Sequence, residues 1–264
     1  MKKIISITYW SLLLIAISTA LAFSEKAQNH SSVRSLKIDI HGLNKNLFID
    51  EKDILQIVQP GNDTFKSTYA NTLSVMQLEK KINNIPAIKN AEVYKTINGE
   101  LQISIEQRNP IVRIFNLSGE SYYIDEEGTL MPLSNKYTSH VLVVSGNIND
   151  RYANRYSLSI TNISENDTLK NISLLDDIFL LAQYIHSNPF WKAQIEHLYV
   201  NKDFEFELIP RVGNHRIVFG DATQIDEKFN KLKFFYKKAL NKIGWNEYKT
   251  INIKFNNQVV CSKN

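Results

Sequence analysis

Apolar and polar positions follow three different patterns along this chain, and the first is an uncharged run at its beginning. Residues 4–23 contain no charged side chain and follow Lys2 and Lys3. A helix of that length, with a rise of about 1.5 Å per residue, spans the roughly 30 Å hydrocarbon layer of a membrane. The two lysines before the run predict a cytoplasmic N-terminus, with the rest of the chain on the other side.

The same run also has the features of a cleaved signal peptide. Ala20, Leu21 and Ala22 resemble a small-residue cleavage site, and hydroxyl residues such as Ser6 and Thr8 interrupt the apolar side chains. Hydropathy alone leaves both interpretations open. Either of them predicts an exported protein.

The second pattern combines alternation with helical spacing over residues 36–108. Asp50 is placed to cap a short helix, and Asn98-Gly99 is typical of a tight turn between two strands. The predicted elements are a strand at 36–40, helices around 51–58 and 78–85, and strands at 91–96 and 101–107. The predicted order is therefore β-α-α-β-β, preceded by a polar linker at 24–35.

The third pattern, over residues 109–264, consists mostly of short strands, interrupted by two helices. The last helix, at about 225–243, has an apolar stripe, and its other face carries Lys228, Lys231, Lys238 and Lys242, which we expect in solvent. A terminal strand follows at 250–255, and Val259 and Val260 extend it. These features predict a mostly antiparallel β domain.

Composition and charge narrow the classes of function. The 264-residue chain is 43% apolar, and its 31 basic and 27 acidic residues are interleaved, giving a net charge of +4. Nothing in this balance favours nucleic acid as a partner. Cys261 is the single cysteine in the sequence, so no intramolecular disulfide and no cysteine metal cluster can form.

Motifs for catalysis are not apparent in the sequence. The six histidines show no metal-ligand spacing, and neither a phosphate-binding glycine loop nor a nucleophile elbow occurs. The acidic runs at 125–127 and 176–177 are interpreted as a hairpin tip and the first turn of a helix. We therefore expect no catalytic residue, no cofactor, no metal and no small-molecule substrate.

Several segments, taken in order, resemble the FtsQ/DivIB family of bacterial cell-division proteins over almost the full length of the chain. The β-α-α-β-β unit is similar to the POTRA domain of that family. The resembling segments are Ile-Pro-Ala-Ile-Lys-Asn-Ala-Glu-Val at 85–93, Ile-Ser-Ile-Glu-Gln-Arg-Asn-Pro at 103–110, Tyr-Tyr-Ile-Asp at 122–125 with the turn to Gly128, and Val-Val-Ser-Gly at 143–146.

The resemblance implies an α+β protein with one N-terminal transmembrane helix. It favours a retained anchor at 4–23 over a cleaved signal, after a cytoplasmic tail at 1–3. A POTRA-like domain at 36–108 and a β domain at 109–264 follow. The implied role is a divisome scaffold of the cytoplasmic membrane that recruits other division proteins for septum formation without catalysis.

The resemblance also implies a docking strand near the C-terminus. The family often has Asp-Leu-Arg-Tyr after its last helix, where this chain has Asn-Ile-Lys-Phe at 252–255. There an FtsB/FtsL-like coiled-coil membrane protein adds a strand to an exposed sheet edge. The implied partner-binding residues are Lys254, Phe255, Val259 and Val260, although the apolar ones also fit a core position.

Two other classes of function remain open at this point. One is a POTRA-containing accessory for polypeptide assembly or secretion at the cell envelope, although the chain shows neither repeated POTRA units nor a barrel pattern. The other is an exported hydrolase with an unrecognised site.

Overall fold

A computed structural model describes residues 10, 13–19, 33–42, 48–61, 74–152 and 174–263 of the chain. The chain divides into two compact units. The first unit comprises Met1–His41 with Ile49–Glu106, and the second comprises Gly42–Phe48 with Gln107–Asn264.

Near the N-terminus the structure describes only a few residues, and these are helical. Residues 13–19 form a helical stretch in which the hydroxyls of Ser18 and Thr19 donate to the carbonyls of Leu14 and Ala16 at 2.8 and 2.9 Å. At about 1.5 Å per residue this stretch is roughly 10 Å long, against the roughly 30 Å of a membrane core.

The predicted transmembrane helix is therefore wrong. Across the described ranges, no helix has both the length and the apolarity needed to cross a membrane. Most of the predicted span at 4–23 lies outside the described residues, as do Ala20-Leu21-Ala22, the tail at 1–3 and most of the linker at 24–35.

The first unit packs two helices on a three-stranded sheet. Its elements are β1 Ser35–His41, α1 Glu51–Val58, α2 Val75–Asn83, β2 Ile88–Lys95 and β3 Glu100–Gln107. The strands lie in the order β1-β3-β2, with β1 parallel to β3. This is the β-α-α-β-β order that the apolar pattern predicts.

Local chemistry explains the ends of these elements. Asp50 caps α1 as predicted, because its carboxylate accepts from the Asp53 amide at 3.0 Å while the Asp53 carboxylate accepts from the Asp50 amide. Gly99 has a φ of +80°, which the turn between β2 and β3 requires. Ile54, Ile82 and Ile103 are buried in the core of this unit.

The second unit is built on a nine-stranded sheet formed by its described strands. These are β4 Pro110–Phe115, β5 Ser121–Asp125, β6 Leu130–Met131, β7 Leu142–Gly146, β8 Ile195–Val200, β9 Phe206–Pro210, β10 Arg216–Gly220, β11 Tyr248–Asn252 and β12 Val260–Lys263. Their order in the sheet is β12-β11-β10-β9-β8-β7-β4-β5-β6.

This sheet is mixed, although most of the pairs between its described strands are antiparallel, in line with the pattern that the sequence predicts. The pairs β4–β7, β7–β8 and β10–β11 are parallel. Parallel neighbours need a long crossover connection, and helices lie between β7 and β8 and between β10 and β11. The α+β class fits this architecture, but without the transmembrane helix that was predicted with it.

The helices of the second unit supply the other half of its core. They are α3 Leu175–Ser187, α4 Pro189–Gln194 and α5 Ile225–Phe235, which continues through a π-helical turn, Tyr236–Leu240, into α6 Asn241–Ile243. The short helix α4 is absent from the prediction. Asn188 caps it by accepting from the Phe190 and Trp191 amides, and Pro189 suits its first position.

An aromatic cluster joins these helices to the sheet. The Phe229 ring of α5 lies 4.8 Å from the Trp191 ring and 5.1 Å from the Phe219 ring, measured between centroids. The expectation that the lysines of this helix face solvent is wrong for Lys228, which is 5% exposed. Its ammonium lies 5.0 Å from the Phe219 centroid, because the first turn of α5 folds over the end of β10.

A candidate docking edge at the end of the nine-stranded sheet

The C-terminal residues form a hairpin that ends the sheet. Strand β11 pairs in parallel with β10, with Ile217 opposite Ile251, and antiparallel with β12, with Ile251 opposite Cys261. Ile251 and Ile253 are fully buried, so β11 is an inner strand that packs on the core. Strand β12 is the last strand of the sheet on this side.

An edge strand presents a row of backbone donors and acceptors to one side, where another strand can pair. On β12, Val260 is 47% exposed, and Ser262 and Lys263 are also exposed. Cys261 faces inward and is half-buried against the core, and this burial raises the pKa of its thiol. The geometry of β12 therefore suits strand addition more than nucleophilic chemistry at Cys261.

Lys254 follows β11 and forms an ion pair with Glu205, the residue immediately before β9. Its ammonium lies 3.0 and 3.3 Å from the two carboxylate oxygens of Glu205, and both side chains are about one-third exposed. The Lys254 amide donates to the Asn252 side chain at 3.1 Å. Lys254 therefore forms an ion pair within the fold, and its side chain remains partly exposed to solvent.

Gly220 at the end of β10 makes room for Lys254. A Cβ at position 220 would lie 2.9 Å from the Lys254 Cβ, closer than side-chain carbons approach. Gly220 also has a φ of +82°, which favours glycine. The path of the chain from β11 into the hairpin loop therefore depends on this glycine.

The other three predicted residues lie around the same hairpin loop. Phe255 is 41% exposed in the turn after β11, and its carbonyl accepts from the Lys231 ammonium. Val259 is half-buried against the core, whereas Val260 is exposed and begins β12. The fold thus brings the four residues to one hairpin, with Phe255 and Val260 the most accessible.

Next to the hairpin loop, the buried Lys228 pairs with the exposed Asp221. The Lys228 ammonium lies 2.6 Å from an Asp221 carboxylate oxygen and 2.8 Å from the Asp221 carbonyl. The hydrogen bond from Lys228 and a second from Thr223 lower the pKa of Asp221 to about 2. The carboxylate is therefore charged throughout the physiological range, and it keeps the first turn of α5 attached to the end of β10.

The first unit has an edge that is protected by side chains. Asn83 of α2 donates to the Ala91 carbonyl at 2.9 Å and accepts from the Ala91 amide at 2.8 Å, and the Glu79 carboxylate accepts from the Val93 amide at 3.1 Å. Strand β2 is an outer strand of its sheet. Because these backbone groups are already paired, β2 is a poor template for strand addition.

The acidic runs have the structural roles that the sequence predicts. Asp125 accepts from the amides of Glu127 and Thr129 at 3.0 and 2.7 Å, and pairs with Arg108 at 2.8 Å. Burial raises the pKa of Asp125, opposed by the hydrogen bond from Arg108. Among the residues that the structure describes, no group of histidine, cysteine and carboxylate side chains could hold a metal ion.

A serine–histidine contact joins two neighbouring strands of the sheet, β7 and β8. The Ser145 hydroxyl lies 2.9 Å from the His197 Nε2 on the neighbouring strand, and burial lowers the pKa of His197. A catalytic triad also needs a carboxylate that orients the histidine. Within the described ranges, no carboxylate hydrogen-bonds to His197.

Sequence reasoning missed two parts of the docking edge. The predicted terminal strand at 250–255 is displaced from the observed β11, and Val260–Lys263 form a separate strand that is the actual edge. Glu205 was not identified as the partner of Lys254. A four-residue strand is too short for an alternating pattern to stand out, and an ion pair across 49 positions leaves no local signal.

Comparisons with known proteins agree with this architecture. The family described as FtsQ/DivIB, C-terminal related, matches residues 109–262, and the POTRA-like domain matches residues 32–106. A comparison with curated proteins found no match. Since the first match covers more than half of the chain, this protein belongs to the FtsQ/DivIB family.

Proposed function

We propose that this chain is a non-catalytic scaffold of bacterial cell division that recruits other division proteins for septum formation. Membership of the FtsQ/DivIB family supports a scaffold role in cell division at the membrane of the division site. In this proposal the POTRA-like domain at 36–108 and the β domain at 109–264 lie on the extracytoplasmic side, and neither makes or breaks a covalent bond.

The observation that carries the proposal is the position of β12 at the end of the nine-stranded sheet. A partner strand that pairs with β12 would extend the sheet and cover Val260. Lys254 and Phe255 lie in the hairpin loop before that strand, and Val259 immediately precedes β12. The proposed partner is an FtsB/FtsL-like coiled-coil membrane protein.

Strand addition draws most of its affinity from backbone hydrogen bonds and its specificity from alternate side chains. The protected edge of β2 in the first unit contrasts with β12, whose exposed side chains leave its outer side accessible. This contrast supports β12 over β2 as the docking strand.

Affinity capture of the tagged full-length protein from detergent-solubilised membranes tests the proposal. We expect the wild type to retain a coiled-coil division protein and Val260→Glu to lose it, because a buried charge at the strand contact is costly. Val212→Glu is the matched control, since Val212 is 50% exposed in the β9–β10 turn, away from β12.

Three outcomes would contradict all or part of the proposal. Capture of no division protein by the wild type would remove the scaffold role, and capture of envelope-assembly proteins in its place would favour the accessory function. Equal capture by Val260→Glu, or by a Lys254→Glu/Phe255→Glu variant, would remove the docking edge while leaving the scaffold role intact.

A further inference from the structure

The second unit contains a cavity of about 430 Å³ away from the docking hairpin. It lies at the end of the sheet where β4, β7 and β8 begin, and the C-terminal half of α3 forms one of its walls. Small-ligand pockets have volumes of roughly 300–1,000 Å³. The cavity is thus large enough for a small organic molecule.

The inner wall of the cavity is apolar. Its apolar residues are Pro110, Ile111, Val141, Leu142, Ala182, Ile185 and Ile195. Ile111, Ile185 and Ile195 are each 2% exposed and belong to the core behind the cavity, whereas Val141 and Leu142 are half-buried and present apolar surface to it. Such a wall favours a short hydrocarbon group, because apolar surface that is buried there is removed from water.

The polar part of the lining is basic. It includes His140, His186, Lys192 and Arg211, and none of the lining residues is a carboxylate. These four side chains come from four different segments of the chain. The Arg211 amide donates to the Gln194 carbonyl at 2.8 Å, which joins the segment after β9 to the end of α4, where Lys192 lies.

Neighbouring charges at the cavity change the pKa of His186. Burial lowers the pKa of His186, the charge of Lys192 lowers it further, and Glu126 opposes both. Glu126 lies next to the cavity, where its carboxylate accepts from the Asn109 side chain at 3.4 Å. An anion that binds beside His186 and Lys192 would offset the charge of Lys192 and favour protonation of His186.

We propose that this cavity binds a small amphipathic anion, in which a carboxylate or a phosphate is joined to a short apolar chain. The apolar chain contacts Val141 and Leu142, the half-buried apolar residues of the lining, and the anionic group accepts hydrogen bonds from Arg211 and Lys192. The fork of an arginine suits the oxygens of either group. This site lies apart from the docking edge, and its occupancy goes beyond the scaffold role.

Four probes titrated into the full-length protein separate the parts of this proposal. Octanoate and octyl phosphate carry both features and distinguish the two anionic groups, whereas octanol lacks the charge and inorganic phosphate lacks the chain. We expect at least one octyl anion to bind saturably, and both octanol and inorganic phosphate to bind roughly tenfold more weakly or worse. If octanol bound as tightly as the octyl anions, the proposed anion-binding part of the site would be wrong. If inorganic phosphate bound as tightly as the octyl anions, the proposed apolar part would be wrong.

A charge-matched pair of variants tests the assigned residues. Lys192→Gln/Arg211→Gln should weaken binding of the octyl anion by roughly tenfold or more, because both side chains are exposed and contact the proposed anion. Lys202→Gln/Lys238→Gln removes the same net charge from exposed positions elsewhere and should change affinity less than about twofold. Equal affinity for the two double variants would overturn the assignment.

The titration of His186 gives a readout that a merely structural role would not change. The charged and titratable groups around it are Lys192, Arg211, His140 and Glu126. We expect the octyl anion to raise the pKa of the His186 ring, measured by NMR, and octanol to leave it unchanged. A saturating octyl anion that leaves the His186 pKa unchanged would place the bound charge elsewhere and overturn the proposal.

Discussion

Asn83 and Ala91 exchange two hydrogen bonds, in which the side-chain amide of Asn83 satisfies both the amide and the carbonyl of Ala91. The contact joins the end of α2 to the outer strand of the first sheet. Sheet edges that are left open invite pairing with other chains, and a side chain that mimics a neighbouring strand closes them.

Replacement of Asn83 by alanine should therefore loosen β2. We expect the free energy of unfolding of the first unit to fall by about 1–2 kcal/mol, because two hydrogen bonds are lost. Hydrogen exchange of the Ala91 amide should become faster and can be measured by NMR. Asn84→Ala is the control, since Asn84 is the exposed neighbour. Equal exchange rates in the two variants would contradict the role of Asn83.

Gly220→Ala should destabilise the second unit more than Gly119→Ala. Both glycines have a φ near +80°, so both substitutions strain the backbone by roughly 1–2 kcal/mol. A Cβ at 119 meets open space, whereas a Cβ at 220 meets the Lys254 side chain at 2.9 Å. We expect an additional loss of about 1 kcal/mol for Gly220→Ala, measured by urea unfolding. Equal losses would show that Lys254 moves aside freely.

A charge swap separates the two roles of Lys254. Lys254→Glu places two carboxylates together and should lower the free energy of unfolding by about 0.5–1 kcal/mol. Glu205→Lys/Lys254→Glu should restore most of this stability, which a double-mutant cycle in urea measures. If Lys254 also contacts the division partner, partner capture stays impaired in the swapped variant. Restored capture would mean that Lys254 acts only within the fold.

Acid should destabilise the second unit through His215. This histidine is 2% exposed, its Nε2 lies 2.9 Å from the Tyr236 hydroxyl, and its Nδ1 lies 3.4 Å from the Trp245 carbonyl. Burial lowers the pKa of His215 below the ordinary 6.5. As the pH falls, the unfolded chain therefore binds a proton at this histidine before the folded protein does. The contribution of His215 to stability is fully present above about pH 6.5 and is lost as the pH falls below that value.

Thermal unfolding followed by tryptophan fluorescence between pH 8 and pH 5 measures this dependence. His215→Gln should flatten it, although His186 and His197, whose pKa values are also lowered by burial, retain part of it. His41→Gln is the control because His41 is exposed in the first unit. A pH dependence that His215→Gln leaves unaltered would assign the effect to the other two histidines.

The sequence by itself determined most of the local structure. Alternating side chains mark β1, β3 and β8, Asp50 marks the start of α1, and Asn98-Gly99 marks the turn before β3. These signals depend on residues within a few positions of one another, so a single chain displays them. The ordered motifs also carried the resemblance to the FtsQ/DivIB family, which the family match confirms.

Only the tertiary structure decided which edges are closed and which strand ends the sheet. The apolar pattern marks Ile251 and Ile253 without showing that β11 lies between β10 and β12, because the neighbours of a strand come from distant segments. The burial of Lys228, the pairing of Lys254 with Glu205 and the closing of β2 by Asn83 likewise depend on residues brought together by folding. Lysine and asparagine side chains have polar ends, so their positions in the sequence predict exposure to solvent. They become buried or paired only where folding brings a partner group close to them.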